Sequence, residues 1–308
     1  MVENFSVLIP ARGNCEYLPK TLESICFSST RPKEVIIVND GLSESAIRLI
    51  QGFSSQLKIV LLQNEGLGIV SALNTGLNHC TSPLVARLDA DDEVTINRFA
   101  VQVDFMTENP EVAVVGGQVN FINSNNEITG QSNYLVGRLD NTKAFKRKCM
   151  IAHPSAMIRT GMAHKVLGYR SVCTDGRTDF AEDFDFWLRI SRIGQVHNLK
   201  DVVLLYRQHE NQVSRVHSQM QTFATAYISM VNSAEESIPD YVLRVLSPRK
   251  FSFGFLRAFL LSIPKSSKVM NKSEVIFEGI SIFFDASNSL ALRIVRRLVR
   301  MTKNTNSG

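Results

Sequence analysis

Cysteine is sparse in this chain and nowhere paired: Cys15, Cys26, Cys80, Cys149 and Cys173 make an odd total with no CxxC spacing. That argues against a disulfide framework or a zinc site and suits a reducing compartment. Long apolar runs are missing as well. The longest, residues 251–263, carries Arg257 and falls short of the roughly 18 residues that a membrane-spanning helix needs. The opening MVENFSVLIPARGN has an early acidic residue and only a short apolar run. It lacks the basic start and long apolar centre of a secretion signal, so a cytoplasmic location is expected. Internal repeats and low-complexity stretches are absent too.

The 308 residues suffice to bury a full core, and 44% hydrophobic with 20% charged content is ordinary for a soluble globular protein. The net charge of +5 is unevenly spread. Residues 1–240 hold 22 Lys+Arg against 26 Asp+Glu, whereas residues 241–308 hold 12 against 3. Within this basic tail, residues 288–303 place Leu290, Ile294, Leu298 and Met301 on one helical face. Arg293, Arg296, Arg297, Arg300 and Lys303 dominate elsewhere. Such a helix either lies on an anionic membrane surface or closes over the core. No nucleic-acid partner is expected.

Up to residue 125, short β-rich runs alternate with helical patterns. Strands are expected at Phe5–Ile9, Val35–Val38, Ile59–Leu62 and Leu84–Leu88, and helices at Tyr17–Phe27, Glu44–Phe53, Leu67–Asn78 and Thr95–Met106. This alternation builds a mainly parallel sheet with helices on both faces. Ligands of such sheets bind beyond the carboxyl ends of the strands. Pro10–Asn14, Asn39–Ser43, Asn64–Gly68 and Asp89–Asp92 then share one rim. From Val112 the pattern changes. Val112–Val115 and Val119–Ile122, with a turn at Asn123–Asn126, suggest antiparallel strands. A helix is expected near Asn141–Met150, a strand near Ser155–Ile158, a helix from Glu182 to Ile193 and a strand at Val202–Tyr206. After Ser214 the sequence reads as helices only.

The rim carries the chemistry. Asp89, Asp91 and Asp92 crowd one loop, and like charges this close repel unless a cation or donor compensates. A hard divalent ion held by carboxylates and substrate phosphates is the usual solution. The plainer alternative is that Asp92 or Thr95 caps the next helix. Asp40, in VIIVNDG, can accept from a base N–H or a ribose hydroxyl, or serve a turn before Gly41. Glu182 and Asp183 open a helix whose apolar stripe is Phe180, Phe184, Trp187 and Leu188. Acidic residues there either complement the helix dipole or, for Asp183, face the site as a general base. His209, in YRQHENQVS, is a ligand candidate or a packed surface residue. Arg207 and Arg215 are candidates to neutralise phosphate.

In chain order, VLIPARGNCEYLPKTLESI, VIIVNDG, NEGLGIVSALNTGL, RLDADD, AEDFDFWLR and YRQHENQVS resemble the successive motifs of the family two glycosyltransferases, over about residues 4–215. RLDADD is similar to the family's metal-binding Asp-x-Asp motif, and AEDFDFWLR to its Glu-Asp catalytic segment. The resemblance implies a GT-A fold: an α/β, Rossmann-like mixed sheet flanked by helices. The donor-binding half would span about 1–125 and the acceptor-binding half about 126–215, with a helical, basic extension over 216–308. The implied activity is inverting transfer of a sugar from a nucleotide diphosphate, UDP by family habit, to a hydroxyl of a glycan or lipid-linked glycan in surface polysaccharide biosynthesis. Donor contacts would come from Pro10, Arg12, Asp40, Gly66, Asp89, Ala90 and Asp91. Asp91 and His209 would hold Mn²⁺ or Mg²⁺, and Asp183 would be the base with Glu182 supporting it. Lipid-linked acceptors further imply a peripheral seat on the cytoplasmic face of the inner membrane. Two departures from the family pattern stand out. Gly13 takes the place of an Asn after the opening proline, and Asn39 replaces the first Asp of Asp-Asp-Gly.

Two other functions fit parts of the sequence. Gly66-x-Gly68-x-x-Ser71 follows a strand and opens a helix, a partial fingerprint of a dinucleotide-dependent oxidoreductase. Its third position is Ser, and it leaves the carboxylate cluster and Asp183 without a role. A non-catalytic sugar-nucleotide-binding protein on the same fold would need no base.

Overall fold

The computed structural model describes residues 5–172 and 179–209, together with 221, 222, 224, 225, 228 and 229. The chain divides into two compact units, Met1–Arg170 with Asp183–Val216, and Ser171–Glu182 with His217–Gly308. The sheet lies in the first. The expected basic helix over 288–303 falls outside the described residues, as does Arg215.

The first half alternates as its sequence dictates. β1 (Phe5–Gly13), α1 (Leu18–Cys26), β2 (Glu34–Leu42), α2 (Glu44–Gly52), β3 (Ile59–Gln63), α3 (Gly68–His79) and β4 (Leu84–Arg87) follow in order. Their starts have local causes. Pro19 sits in the first turn of α1, where a missing N–H costs nothing. The Ser43 hydroxyl accepts from Ala46 N–H and caps α2. After β4 come β5 (Glu93–Val94), α4 (Arg98–Glu108), β6 (Val112–Ile122), β7 (Ile128–Gln131), β8 (Gly137–Arg138), a 3₁₀ turn at His153–Ser155, β9 (Met157–Arg159), α5 (Thr160–Lys165), α6 (Glu182–Ile190) and β10 (Gln195–Arg207).

The strands form one sheet in the order β3-β2-β1-β4-β9-β6-β10-β5, with β7 on β6 and β8 on β10. β1, β2, β3 and β4 are parallel. β9 is antiparallel to both β4 and β6, and β10 is parallel to β6. Two reversals restore the direction, so β10 ends on the same edge as β1, β2 and β4. That topology brings the end of β10, more than a hundred residues away in sequence, to the loop after β4.

Several expectations need correction. β6 is one continuous strand where two were expected. The Gly116–Gly117 pair, which reads as a break, instead admits close neighbours: a Cβ on Gly116 would lie 2.4 Å from Asn198 Oδ1, and one on Gly117 2.8 Å from Val203 Cγ1. The antiparallel partner of β6 is β7, across the turn at Asn123–Asn126. No helix forms at Asn141–Met150, which is a run of turns. Lys143, Lys146, Arg147 and Lys148 would crowd like charges onto neighbouring helical positions, and the Thr142 hydroxyl closes a tight turn by accepting from Phe145 N–H. α4 starts at Arg98 rather than Thr95, because Glu93–Val94 is taken up by pairing with β10. Neither Asp92 nor Thr95 is its cap; Asn97 holds that position.

The core is apolar with polar pins. Phe5 and Phe99 pack at 4.8 Å between ring centroids. Arg98 and Gln102, both buried in α4, reach the sheet. Arg98 Nη2 donates to the Arg87 carbonyl at 2.8 Å, and Gln102 Nε2 donates to the Ser155 carbonyl at 2.8 Å. These bonds tie α4 to the end of β4 and to the chain entering β9. Burial pulls the Arg98 guanidinium down to about 9.

Candidate active site

The loop after β4 is held from three sides. Arg87, buried at the end of β4, pairs its Nη2 with Asp89 Oδ1 at 2.6 Å. The Asp92 carboxylate is buried, and its Oδ1 accepts the backbone N–H of Arg207 at 2.8 Å. The Arg207 side chain, wholly buried, donates from Nε to the Asp91 carbonyl, from Nη1 to the Asn123 carbonyl and from Nη2 to Glu93. Its guanidinium also stacks 4.3 Å over the Tyr17 ring. Arg207 therefore spends its donors on protein oxygens, which corrects its reading as a phosphate ligand. His209, two residues beyond β10, points Nε2 at Asp91 Oδ2, 2.9 Å away.

The electrostatics follow from this crowding. Burial, and then the charges of Asp91 and Asp89, push the Asp92 carboxyl well above its ordinary value. Burial also raises Asp89, against the pull of Arg87 and with the help of Asp91 and Asp183. Asp183 is thus within electrostatic reach of the cluster. It stands in the first turn of α6, directly after Glu182. Its Oδ1 accepts from Phe184 N–H at 2.7 Å, and its Oδ2 from the Cys149 thiol at 3.3 Å. Burial raises Asp183 too, opposed by these two donors and by Arg87. Tyr134, pushed up to about 12 by burial and then by Cys149 and Asp183, belongs to the same neighbourhood. Behind α6, Trp187 meets His153 edge-on at 5.7 Å and Phe186 stacks on Tyr169 at 4.2 Å. This aromatic packing fixes the helix that carries Asp183.

The remaining donor candidates lie along the ends of β1, β2 and β3. Pro10 is half-buried opposite Val38, and Arg12 is exposed near the strand end. Asp40 Oδ1 accepts from Asn64 Nδ2 at 2.6 Å and from Gly68 N–H at 3.2 Å. Asn39 closes its own turn by accepting from Gly41 and Leu42 N–H. Gly66 donates to Asn64 Oδ1, and a Cβ there would stand 2.5 Å from Ser71 Oγ. The Ala90 carbonyl accepts from Thr21 at 3.1 Å. Of the residues singled out in the sequence, Asp89, Asp91 and His209 meet at the loop after β4, and the charge of Asp183 is felt at Asp89. Arg87, Cys149 and Tyr134 stand among them without having been singled out: Arg87 opens the RLDADD motif but is an ordinary basic residue by type, and Cys149 and Tyr134 have no spacing signal.

The carboxylates suit a divalent cation. Asp89, Asp91 and Asp92 each offer an oxygen within 4.8 Å of the others. Among the described residues the buried Asp92 Oδ2 has no hydrogen-bond partner, an orphan that a cation would satisfy. His209 Nε2 and Asp91 Oδ2 are 2.9 Å apart; neighbouring ligands of one octahedral ion are separated by about 3 Å. The carboxylate oxygens match a hard divalent cation.

The turn Gly66-x-Gly68 does follow β3 and open α3, but β3 is an edge strand, and the first amide of α3 already faces the Asp40 carboxylate. A dinucleotide phosphate would have to displace that anion. Comparison with known proteins decides between the readings. The sequence profile of "Glycosyl transferase family 2" matches residues 6–167, more than half of the chain. The chain belongs to this family. It is a glycosyltransferase of GT-A fold. Relatives include the amylovoran biosynthesis glycosyltransferase AmsE of Erwinia amylovora, 30% identical over 68% of this chain and 79% of that protein. Another is an Escherichia coli UDP-Gal:alpha-D-GlcNAc-diphosphoundecaprenol beta-1,3-galactosyltransferase, 33% identical over 60% of this chain and 66% of that one. Among solved structures, S. aureus TarS residues 1–349 in complex with UDP-GlcNAc superposes with a TM-score of 0.63 over 98% of this chain and 92% of that chain, at 14% identity. Among the described residues no helix is long and apolar enough to cross a membrane.

Proposed function

We propose that this glycosyltransferase moves a hexosyl group from a nucleoside diphosphate donor, UDP-sugar first, to a hydroxyl of a glycan or lipid-linked glycan, with inversion, in surface polysaccharide biosynthesis. The observation that carries the reading is the placement of Asp183 within electrostatic reach of the Asp89–Asp91–Asp92 cluster. A buried carboxylate base and a cation site serve the two ends of one displacement. Asp183 takes the proton of the acceptor hydroxyl as its oxygen attacks the anomeric carbon. The bond from that carbon to the diphosphate breaks, and the leaving group keeps the electron pair. Asp91 and His209, with Asp92 or Asp89 completing the set, would hold Mn²⁺ or Mg²⁺, which when bound would supply several kcal/mol of charge stabilisation for the leaving diphosphate. Pro10, Arg12, Asp40, Gly66 and Ala90 line the edge proposed for the nucleotide, and Glu182 supports Asp183 or touches the acceptor. The UDP-Gal donor and diphosphoundecaprenol-linked acceptor in the name of the Escherichia coli relative support the same substrate classes here.

Isothermal titration with UDP, with and without Mn²⁺, tests the donor site. Wild type is expected to bind only with the metal, and Asp91→Ala to lose that binding. No binding of UDP, GDP or dTDP by the wild type, with metal present, would overturn the reading. The basic tail carries a separate expectation. Deleting 286–308 is expected to abolish co-sedimentation with anionic phospholipid vesicles; retention on the vesicles after deletion would sink the peripheral-membrane proposal.

A further inference from the structure

Resting on Asp183 as the base, we infer that Cys149 is a positioning residue, its thiol orienting the Asp183 carboxylate for proton transfer. The geometry engages both carboxylate oxygens. Phe184 N–H, 2.7 Å from Oδ1, fixes one side, and Cys149 Sγ, 3.3 Å from Oδ2, fixes the other. Turning the carboxylate about its own axis would break a contact at each oxygen. The backbone donor comes from α6 and the thiol from the turns before the 3₁₀ segment, so two separate stretches of chain aim one side chain.

The thiol has a single proton and two acceptors, since Sγ also lies 3.2 Å from the Ile151 carbonyl. It can donate to Asp183 while that group is charged. Once Asp183 has taken the acceptor's proton, the thiol can turn to Ile151, keeping its own proton throughout. A weak S–H donor suits this place: it orients the carboxylate without sapping much of its basicity. Burial and the adjacent Asp183 charge push the Cys149 thiol well above its ordinary range, which keeps it protonated and able to donate.

The test compares full-chain wild type, Cys149→Ala, Cys149→Ser and Asp183→Asn in release of UDP from UDP-galactose with Mn²⁺, alongside their melting temperatures. Cys149→Ala is expected to lower kcat about tenfold at unchanged KM, the size of one hydrogen bond to a charged group. Cys149→Ser, which restores a donor, is expected to recover most of that loss. Wild-type kcat in Cys149→Ala, beside an inactive Asp183→Asn, overturns the positioning role alone. Wild-type turnover in Asp183→Asn overturns the base and this inference together. A second readout needs no turnover: iodoacetamide labelling of Cys149, located by peptide mass spectrometry. Removing the Asp183 charge is expected to speed labelling, by roughly threefold for each pKa unit the thiol loses, because a less basic thiolate is also a weaker nucleophile. An unchanged labelling rate in Asp183→Asn would show that thiol and carboxylate do not interact, and the inference would fall.

Discussion

Asp183→Asn is expected to cut kcat by about 10²–10⁴-fold, the usual contribution of a positioned general base, while UDP affinity in Mn²⁺ stays at its wild-type value. The separation of the two effects follows from position. Asp183 belongs to α6, whereas the cation-site carboxylates belong to the loop after β4. Stability supplies a control. Burial raises the Asp183 carboxyl in the folded protein, so ionising it above that value works against folding. The neutral amide removes this cost, and the melting temperature at pH 7 is not expected to fall. The same shift sets a pH dependence. Only ionised Asp183 accepts a proton, so kcat rises with pH through a value above the ordinary ~3.9 of an aspartate. A fall in melting temperature matching the loss of kcat would instead point to a structural role. Unchanged turnover would remove Asp183 from the chemistry and require another base.

The parallel half of the fold was legible because local and tertiary signals agree there. β1 and β2 read as short apolar runs, α1 and α2 each bury one apolar face, and Ser43 caps α2. Beyond Val112 the local signal misleads. Gly116–Gly117 has the composition of a turn, yet the two residues are glycine because Asn198 and Val203 press against them from β10. Nothing near residue 116 in sequence announces a neighbour eighty residues on. The reverse error occurred at Asn141–Met150. A helix is expected there, but four basic side chains and the Thr142 turn prevail.

The candidate site divides in the same way. Asp89, Asp91 and Asp183 stand in segments whose residue types are unusual in themselves: carboxylates packed after a strand, and an acidic pair opening a helix. Their partners have no such mark. Arg87 looks like any basic residue at a strand end, and Cys149 like any scattered thiol. Each acquires meaning from the sheet, which sets β9 between β4 and β6 and so carries the chain of residues 149–155 past the carboxylates. Asp40 shows a third case. It was legible as a rim carboxylate, but not that one of its oxygens is already bound to Asn64 and to the first amide of α3.

Arg207 joins these observations in the second large expected effect. Arg207→Ala is expected to destabilise the first unit by about 3–5 kcal/mol, the cost of breaking a buried ion pair from one side. The lost side chain donates to Asp91, Asn123 and Glu93 and covers Tyr17. Its removal would leave Glu93 without this cation and free the Asp91 main chain. For a unit of this size the melting temperature is expected to drop on the order of 10 °C. Metal-dependent UDP binding is expected to weaken as well, because Asp91 is aimed by the bond from Arg207 Nε to its carbonyl. Arg207→Lys keeps the charge but replaces the wide, rigid fork of guanidinium donors with one compact ammonium, so it is expected to fall between alanine and wild type in both measurements. Thermal melts and titrations on the three proteins check this. An alanine variant melting within about 1 °C of wild type would mean that the loop is held by Asp92 and Arg87 alone. A variant that melts early but binds UDP normally would confine Arg207 to stability and leave the aim of Asp91 to its contact with His209.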